Sequence, residues 1–205
     1  MVLFANETVI AMISLMIDQS IIIVSGLPRS GTSMMMQMLA AGGLELLTDN
    51  IRGADEDNPA GYYELERVKQ LETDKAWLEE AKGRVVKLIS ALLKHLPQTY
   101  SYKVIFMRRA MQEILKSQRQ MLIRRGEPTD NVPDEKMGAM FEKHLAQVES
   151  WLAAQPNVDT IYVSYNEAMK DPASSAQRIN QFLGGSLNVR AMAEIADRAL
   201  YRQRL

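Results

Sequence analysis

Near its start the chain reads Ile21-Ile-Ile-Val-Ser-Gly-Leu-Pro-Arg-Ser-Gly-Thr-Ser33. Residues 21–25 show no alternation of apolar and polar side chains, so they predict a strand buried on both faces, as in a parallel sheet. The next residues form a loop rich in Gly, Pro and Ser. A helix is predicted over 32–41, and Gly42-Gly43 would end it. A buried strand that passes through a loop into a helix indicates an α/β fold.

The rest of the chain continues this alternation of strands and helices. Three further strands are predicted: 84–88, 103–107 and 160–163. Helices are predicted at 64–81, 111–125, 134–154 and 172–183, and again from Val189. We therefore expect a three-layer α/β sandwich with a central, mainly parallel sheet.

Composition limits the class of protein. The chain has 205 residues, 47% hydrophobic and 24% charged, which is ordinary for a globular protein. We expect one domain over 1–205, with 1–18 as a peripheral N-terminal extension. Residues 2–17 are mostly apolar, but Asp18-Gln19 interrupts them before the roughly 20 residues that a membrane span needs, so no membrane segment is expected.

Residue counts exclude several kinds of chemistry. With no cysteine, the chain cannot form a disulfide scaffold, a thiolate metal site or a thiol nucleophile, and it suits the reducing cytoplasm, where we expect it. Two histidines are too few to favour a zinc site. A net charge of −1 gives no general electrostatic reason to expect nucleic acid as a partner.

The loop after the first strand predicts a phosphate site. Gly26 to Ser33 has the spacing of the phosphate-binding motif GxxxxGK[ST], with Thr32 in place of Lys. Glycines let the backbone approach an anion, and the following helix directs its N-terminus at it. Arg29 adds a positive charge inside the loop and is a candidate to replace the missing Lys. The alternative is a glycine-rich turn that binds nothing.

The end of the third predicted strand argues against an ordinary NTPase. Such enzymes use the loop Lys at the phosphates and a strand-end Asp for magnesium. Here the strand over 103–107 ends in Arg108-Arg109. Arginines in place of a metal-binding carboxylate suit a multiply anionic ligand that is bound without magnesium.

Two motifs resemble those of sulfotransferases that use 3′-phosphoadenosine 5′-phosphosulfate (PAPS). Pro28-Arg-Ser-Gly-Thr-Ser33 is similar to their 5′-phosphosulfate loop, roughly PxSGTT. Val104-Ile-Phe-Met-Arg-Arg109, followed by Glu113 and Ser117, resembles their 3′-phosphate motif, a strand ending in Arg with a Ser eight residues later. The resemblance is to small bacterial members, and it implies a P-loop NTPase-like topology for the sheet. It implies PAPS as co-substrate, no metal, and sulfuryl transfer to a hydroxyl or amine.

Two further segments strengthen the resemblance, and two features depart from it. Asn58-Pro-Ala-Gly-Tyr-Tyr-Glu64 is similar to an NPxGYxE loop, and Tyr162-Val-Ser-Tyr-Asn-Glu167 to a tyrosine-acidic segment. However, Ile89 stands where the larger cytosolic enzymes carry their catalytic His. Their late Arg-Lys-Gly phosphate loop has no clear equivalent, although Tyr201-Arg-Gln-Arg204 supplies charge near the end.

The resemblance implies a role for each matched residue. Six loop residues would bind the 5′-phosphosulfate: Pro28, Arg29, Ser30, Gly31, Thr32 and Ser33. Arg109 and Ser117 would hold the 3′-phosphate, unless Arg109 only forms a structural salt bridge. Lys87 aligns with a family Lys and, with Arg29, would stabilise the charge on the leaving phosphate; a surface Lys is its alternative.

The general base is a separate prediction. An acceptor hydroxyl needs a group within hydrogen-bonding reach to take its proton. Glu64 closes a loop expected to face the active site, so we assign it this role. Its alternative is a helix N-terminal Glu favoured by the helix dipole. His95 is the second candidate base, and His144, on an amphipathic helix, is predicted to be structural.

Two rival functions remain open. A P-loop kinase or NTPase with an atypical loop would bind ATP with magnesium. A non-catalytic nucleotide-binding module would bind PAP, the desulfated product, without turnover. For an enzyme we expect a small-molecule or peptide acceptor, held by the polar loops 48–63 and 126–133 at the strand ends.

Overall fold

A central sheet of parallel strands organises the molecule. The computed structural model describes residues 19–49, 51, 53–55, 61–129 and 131–196. Within them the strands are β1 Ile21–Gly26, β2 Val85–Lys87, β3 Tyr102–Arg108 and β4 Val158–Ser164. All neighbours are parallel, in the order β2-β1-β3-β4. The predicted parallel α/β fold is therefore confirmed.

Helices connect the strands. The α-helices of the described residues are α1 Thr32–Ala41, α2 Trp77–Glu80, α3 Met111–Arg124, α4 Asp134–Ala154, α5 Tyr165–Lys170, α6 Pro172–Phe182 and α7 Val189–Glu194. Two 3₁₀ helices, Glu66–Gln70 and Ser90–His95, lie on either side of β2 in the sequence.

Helices cover both faces of the sheet, which explains why β1 has no polar alternation. All of its apolar side chains are inaccessible to solvent. Ile21 and Ile23 belong to a core that includes residues of α2 and α4: Trp77, Leu78, Val148 and Leu152. Ile22 and Val24 belong to the core on the other face, with residues of α1, α6 and α7: Met35, Met36, Ile179 and Met192.

The strand order brings two predicted anion motifs to one crevice. From β1 the chain crosses to the edge strand β2, then returns to β3 on the other side of β1. The carboxyl ends of β1 and β3 therefore flank the point where the direction of winding reverses, which is where open α/β sheets bind ligands. The phosphate loop follows β1, and Arg109 follows β3.

Most predicted elements are confirmed. The helices α1 and α4 have the predicted bounds, and the four predicted strands agree with the observed strands within a few residues. Asp171 caps α6 as expected, since its side chain accepts from the Ser174 amide at 3.1 Å. The predicted extension 1–18, the charged stretch 201–204 and residues 58–60 of the NPxGYxE match lie outside the described residues.

The long helix predicted over 64–81 is wrong. The segment contains the 3₁₀ helix Glu66–Gln70, a turn, and the single-turn α2. Asp74 interrupts it: its Oδ1 accepts from the Ala76 amide at 3.0 Å, and its Oδ2 lies 3.3 Å from the Arg67 guanidinium. A short polar side chain that bonds the backbone ahead of it competes with helix hydrogen bonds.

Candidate active site

The loop between β1 and α1 has the backbone geometry of an anion cradle. Arg29 and Gly31 have left-handed φ values of 70° and 98°. Left-handed residues in a tight loop turn successive amide groups toward one concavity, and the helix N-terminus adds a partial positive charge. No described side chain caps α1 at Gly31. That arrangement suits a helix whose N-terminus receives an anion.

Gly31 is also required by close packing. A Cβ built on it would lie 2.3 Å from Cδ2 of Tyr165, the first residue of α5. The loop is thus held directly against the segment that follows β4. Beside Gly31, the Ser30 side chain is buried, and no described group hydrogen bonds to its hydroxyl.

The two sequence motifs meet in the structure. Arg29 Nε donates to Ser117 Oγ at 2.9 Å, although the residues are 88 positions apart. Arg109 donates from a terminal nitrogen to the Arg29 carbonyl at 3.1 Å. The predicted 5′-phosphosulfate loop and the predicted 3′-phosphate pair therefore form one continuous site. The Arg29 guanidinium faces Ser117, so within this site it lies toward the 3′-phosphate pair.

Lys87 brings a second cation to the loop from β2. Its Nζ lies 3.2 Å from Ser33 Oγ and donates to the Tyr62 carbonyl at 2.8 Å. The Lys87 side chain is only 11% exposed, which excludes the surface-lysine alternative. Glu64 Oε1 is 3.6 Å from the same Nζ. The structure thus brings the predicted catalytic pair Lys87 and Glu64 together beside Ser33.

Arg109 is fixed by a buried ion pair. Its Nε donates to Glu113 Oε2 at 2.8 Å, and the two side chains are 8% and 1% exposed. The guanidinium also stacks over the Tyr165 ring, 4.4 Å from its centroid. Burial raises the pKa of the Tyr165 hydroxyl, while the nearby Arg109 lowers it, Glu113 raises it and Arg29 lowers it. The net shift is upward, so Tyr165 is a neutral platform at pH 7.

Sequence reasoning missed the part played by Asn166. Its Nδ2 donates to Glu113 Oε1 at 2.9 Å, and its Oδ1 accepts from the Ala110 amide at 3.2 Å. One signal could have indicated it. Asn166 comes two residues after β4, at the edge of the sheet where parallel strands place functional residues.

The remaining candidates occupy different positions. Pro28 is exposed on the loop, whereas Thr32 begins α1. His95 ends the 3₁₀ helix Ser90–His95. His144 hydrogen bonds through Nε2 to Ser90 Oγ at 2.8 Å, so it joins α4 to that 3₁₀ helix, as its predicted structural role requires. Arg108 points away from Arg109, since it stacks on Tyr162 and pairs with Glu149.

Comparison with protein families agrees with this geometry. The profile of the family described as "Sulfotransferase domain" matches residues 19–203, which is most of the chain. The chain belongs to this sulfotransferase family. Comparison with curated proteins gives no match.

Among solved structures, this sulfotransferase-family chain is similar to the mouse sulfotransferase SULT7A1, crystallised in complex with PAP. The sequence identity is 18% and the TM-score 0.46. The match covers 87% of this chain and 63% of the mouse chain.

A cavity of about 350 Å³ adjoins the phosphate loop of this sulfotransferase-family chain. It lies between the loop, the end of β3, and helices α3 and α4. Its wall is mixed: apolar side chains come from Leu27, Met107, Ile114 and Leu145, and charged ones include Arg108. Ser30 and Arg109 border it on the side of the site, and Glu142 and Glu149 border it on α4.

Over the part of the chain that the structure describes, no group of three or more His, Cys, Asp or Glu side chains is placed to hold a metal ion. No helix in the same ranges is both long and apolar enough to cross a membrane.

Proposed function

We propose that this protein transfers a sulfuryl group from PAPS to a hydroxyl or amine acceptor. The observation that carries the proposal is the meeting of three predicted elements in one site. Arg29 of the phosphate loop bonds Ser117, Arg109 bonds the loop backbone, and Lys87 reaches Ser33. Three cations around one backbone cradle suit a ligand that carries anionic groups at both its 3′ and 5′ positions.

The residues present fit such a ligand. The left-handed backbone of Arg29 and Gly31 and the N-terminus of α1, which no described side chain caps at Gly31, are both features of an anion site. Ser30, Gly31, Thr32 and Ser33 would hold the 5′-phosphosulfate. Arg109 and Ser117 would hold the 3′-phosphate. Arg29 would lie between the 5′-phosphosulfate position and the 3′-phosphate position. PAPS supplies the sulfuryl group in an activated form, with a phosphate as leaving group.

Lys87 is proposed to stabilise the leaving group. During transfer, the acceptor oxygen or nitrogen bonds to sulfur while the bond from sulfur to the phosphate oxygen breaks, so negative charge builds on the phosphate. A fixed, largely desolvated cation beside that charge lowers the barrier. Lys87 meets this need because the Tyr62 carbonyl, Glu64 and Ser33 already hold its Nζ.

Glu64 is proposed to be the general base. Its carboxylate is half-buried and lies beside Lys87, so a proton taken from an acceptor hydroxyl would be accepted close to the reacting atoms. His95 remains the second candidate base.

The acceptor is proposed to bind beside Lys87 and Glu64, because the atom that attacks sulfur must lie within reach of the proposed base. The cavity of about 350 Å³ between the phosphate loop and α4 is bordered by Arg109 and lies on the side of the proposed 3′-phosphate position, so it is not the proposed acceptor site. A small-molecule or peptide acceptor remains the expectation.

Turnover is the test of the proposal. Purified protein would be incubated with PAPS and a panel of phenols, aliphatic alcohols and amines, and both PAP and the sulfated product would be quantified. Equal amounts of PAP and sulfated acceptor support a sulfotransferase. PAP binding without product from any acceptor would support the non-catalytic module instead, and turnover of ATP with magnesium would support a kinase or NTPase.

We also propose that the protein works as one domain in the cytoplasm. The absence of cysteine supports the location, because such a chain needs no oxidising environment to fold. The cores on both faces share the single sheet and support one domain. Fractionation of the source cells would test the location.

A further inference from the structure

A hydrogen-bonded chain links the turn after β4 to the arginine after β3. Asn166, at the start of α5, donates to Glu113 of α3, and Glu113 accepts from Arg109 Nε. The other end of the Asn166 amide accepts from the Ala110 backbone, where α3 begins. One amide therefore fixes both the carboxylate and the helix that carries it.

This arrangement orients the guanidinium. The planar group presents its Nε edge to Glu113, and a terminal nitrogen reaches the Arg29 carbonyl in the phosphate loop. The Tyr165 ring packs against the flat face of the Arg109 guanidinium. Removing one partner of a buried carboxylate is strongly destabilising, because it leaves the charge uncompensated. The position of Arg109 consequently depends on Asn166 through Glu113.

We propose that Asn166 and Glu113 are positioning residues that give this site its preference for a 3′-phosphorylated nucleotide. The inference rests on the proposed function, in which Arg109 holds the 3′-phosphate. Neither residue needs to touch the nucleotide. Their effect is to hold Arg109 in the single orientation that joins the 3′-phosphate position to the phosphate loop.

The chemistry of the pair suggests a reciprocal exchange. Asn166→Asp keeps the acceptor for Ala110 but sets a second carboxylate against Glu113. Glu113→Gln keeps an acceptor for Arg109 but turns its amide nitrogen toward the Asn166 amide nitrogen. Each single substitution leaves one mismatched contact. In the double variant, the new amide at 113 donates to the new carboxylate at 166, and all three hydrogen bonds return.

The test is calorimetric titration of the parent, both single variants and the double variant with PAP and with AMP, which lacks the 3′-phosphate. We expect each single variant to lose at least tenfold in PAP affinity and less than threefold in AMP affinity. The double variant should recover the PAP-to-AMP ratio to within about threefold of the parent. Asn180→Asp is the matched control. Asn180, in α6, is also buried, and its side chain accepts from the Leu187 amide. The Asn180→Asp substitution should therefore leave the PAP-to-AMP affinity ratio unaltered.

Three outcomes would overturn the inference. Equal loss of PAP and AMP affinity in the single variants would mean a merely structural role. Unchanged PAP affinity would mean that Arg109 does not depend on the chain of hydrogen bonds. If the single variants fail to fold, a folded double variant without PAP preference would also contradict it. A parent protein that prefers AMP, or binds neither nucleotide, would instead refute the proposed function itself.

Discussion

Lys87 is the residue whose substitution separates catalysis from binding. Its Nζ lies at Ser33, on the proposed 5′ side of the site, and its side chain is nearly buried. Removal of one fixed group that stabilises transition-state charge typically costs about 10²–10³-fold in rate. Lys87→Gln should therefore lower kcat by about 10²–10³-fold and change the PAP Kd by less than tenfold, as measured by PAP release and calorimetry.

Lys103 provides a matched control for this substitution. It is also a strand lysine with a small exposed fraction, 19%, and it pairs with Asp159 at 3.6 Å. It lies near the start of β3, at the amino-terminal ends of the strands, whereas the site lies at their carboxyl ends. Lys103→Gln should leave kcat within twofold. A Lys87→Gln enzyme with kcat within threefold of the parent would remove Lys87 from the catalytic account.

At the scale of an element, the phosphate loop depends on a glycine at 31. Gly31 and Gly43 both have φ near +100°, but only Gly31 has a neighbour, Tyr165, in the space a Cβ would fill. The left-handed backbone costs an alanine about 1–2 kcal/mol at either position. Gly31→Ala should lose additional stability and at least tenfold in PAP affinity, whereas Gly43→Ala should lose stability alone. Urea unfolding and calorimetry measure the two effects.

The turn at Asp74 carries a pH-dependent contribution to stability. The Ala76 amide lowers the pKa of Asp74 below its usual 3.8; burial opposes this, and Arg67 lowers it further. Because the folded-state pKa is depressed, the stabilisation is present above pH 3.8 and is lost as the pH falls through the folded-state value. Asp74→Ala should thus lower the free energy of unfolding at pH 7, and the deficit should shrink below pH 3.8.

Glu72→Ala is the control for Asp74. Glu72 is exposed in the same turn, so its removal should change the free energy of unfolding little at either pH. Urea unfolding at pH 7 and pH 3 gives the comparison. A deficit for Asp74→Ala that grows on acidification would contradict the assigned direction of the pKa shift.

The elements also differ in how well sequence predicts them. The bounds of α1 and α4 follow from local signals, namely glycines after one and a long apolar repeat in the other. The helix predicted over 64–81 is interrupted at Asp74, whose side chain accepts from the Ala76 amide and so competes with helix hydrogen bonds. α5 was missed: it begins at Tyr165, directly after the last residue of β4, so no loop separates the strand from the helix.

The site residues also differ in how well the sequence predicts them. The phosphate loop and Arg109 lie in contiguous motifs, so the sequence predicts them. The contact of Asn166 with Glu113 joins residues 53 positions apart, and that of Lys87 with Ser33 joins residues 54 apart. Such pairs depend on strand order and register. A single sequence does not encode them locally.

At the scale of the whole molecule, ligand binding should stabilise the fold as one unit. The site draws on the phosphate loop, β2, β3 and α3, so PAP would bind the native state and not the unfolded chain. At a PAP concentration 100 times Kd, the stabilisation is about 2.7 kcal/mol. For a chain of this size, that raises Tm by about 5–10 °C in a single transition. Calorimetric scans that show two transitions, only one of them shifted by PAP, would contradict the single-domain proposal.

The most direct test of the central claim is calorimetric titration of the purified protein with PAP and, separately, with ATP plus magnesium. Arg109→Ala serves as the control, because its guanidinium joins the loop to the proposed 3′-phosphate position. The account predicts micromolar PAP binding that weakens at least tenfold in Arg109→Ala, and much weaker binding of ATP with magnesium. Tight binding of ATP with magnesium, together with no response to PAP, would contradict it.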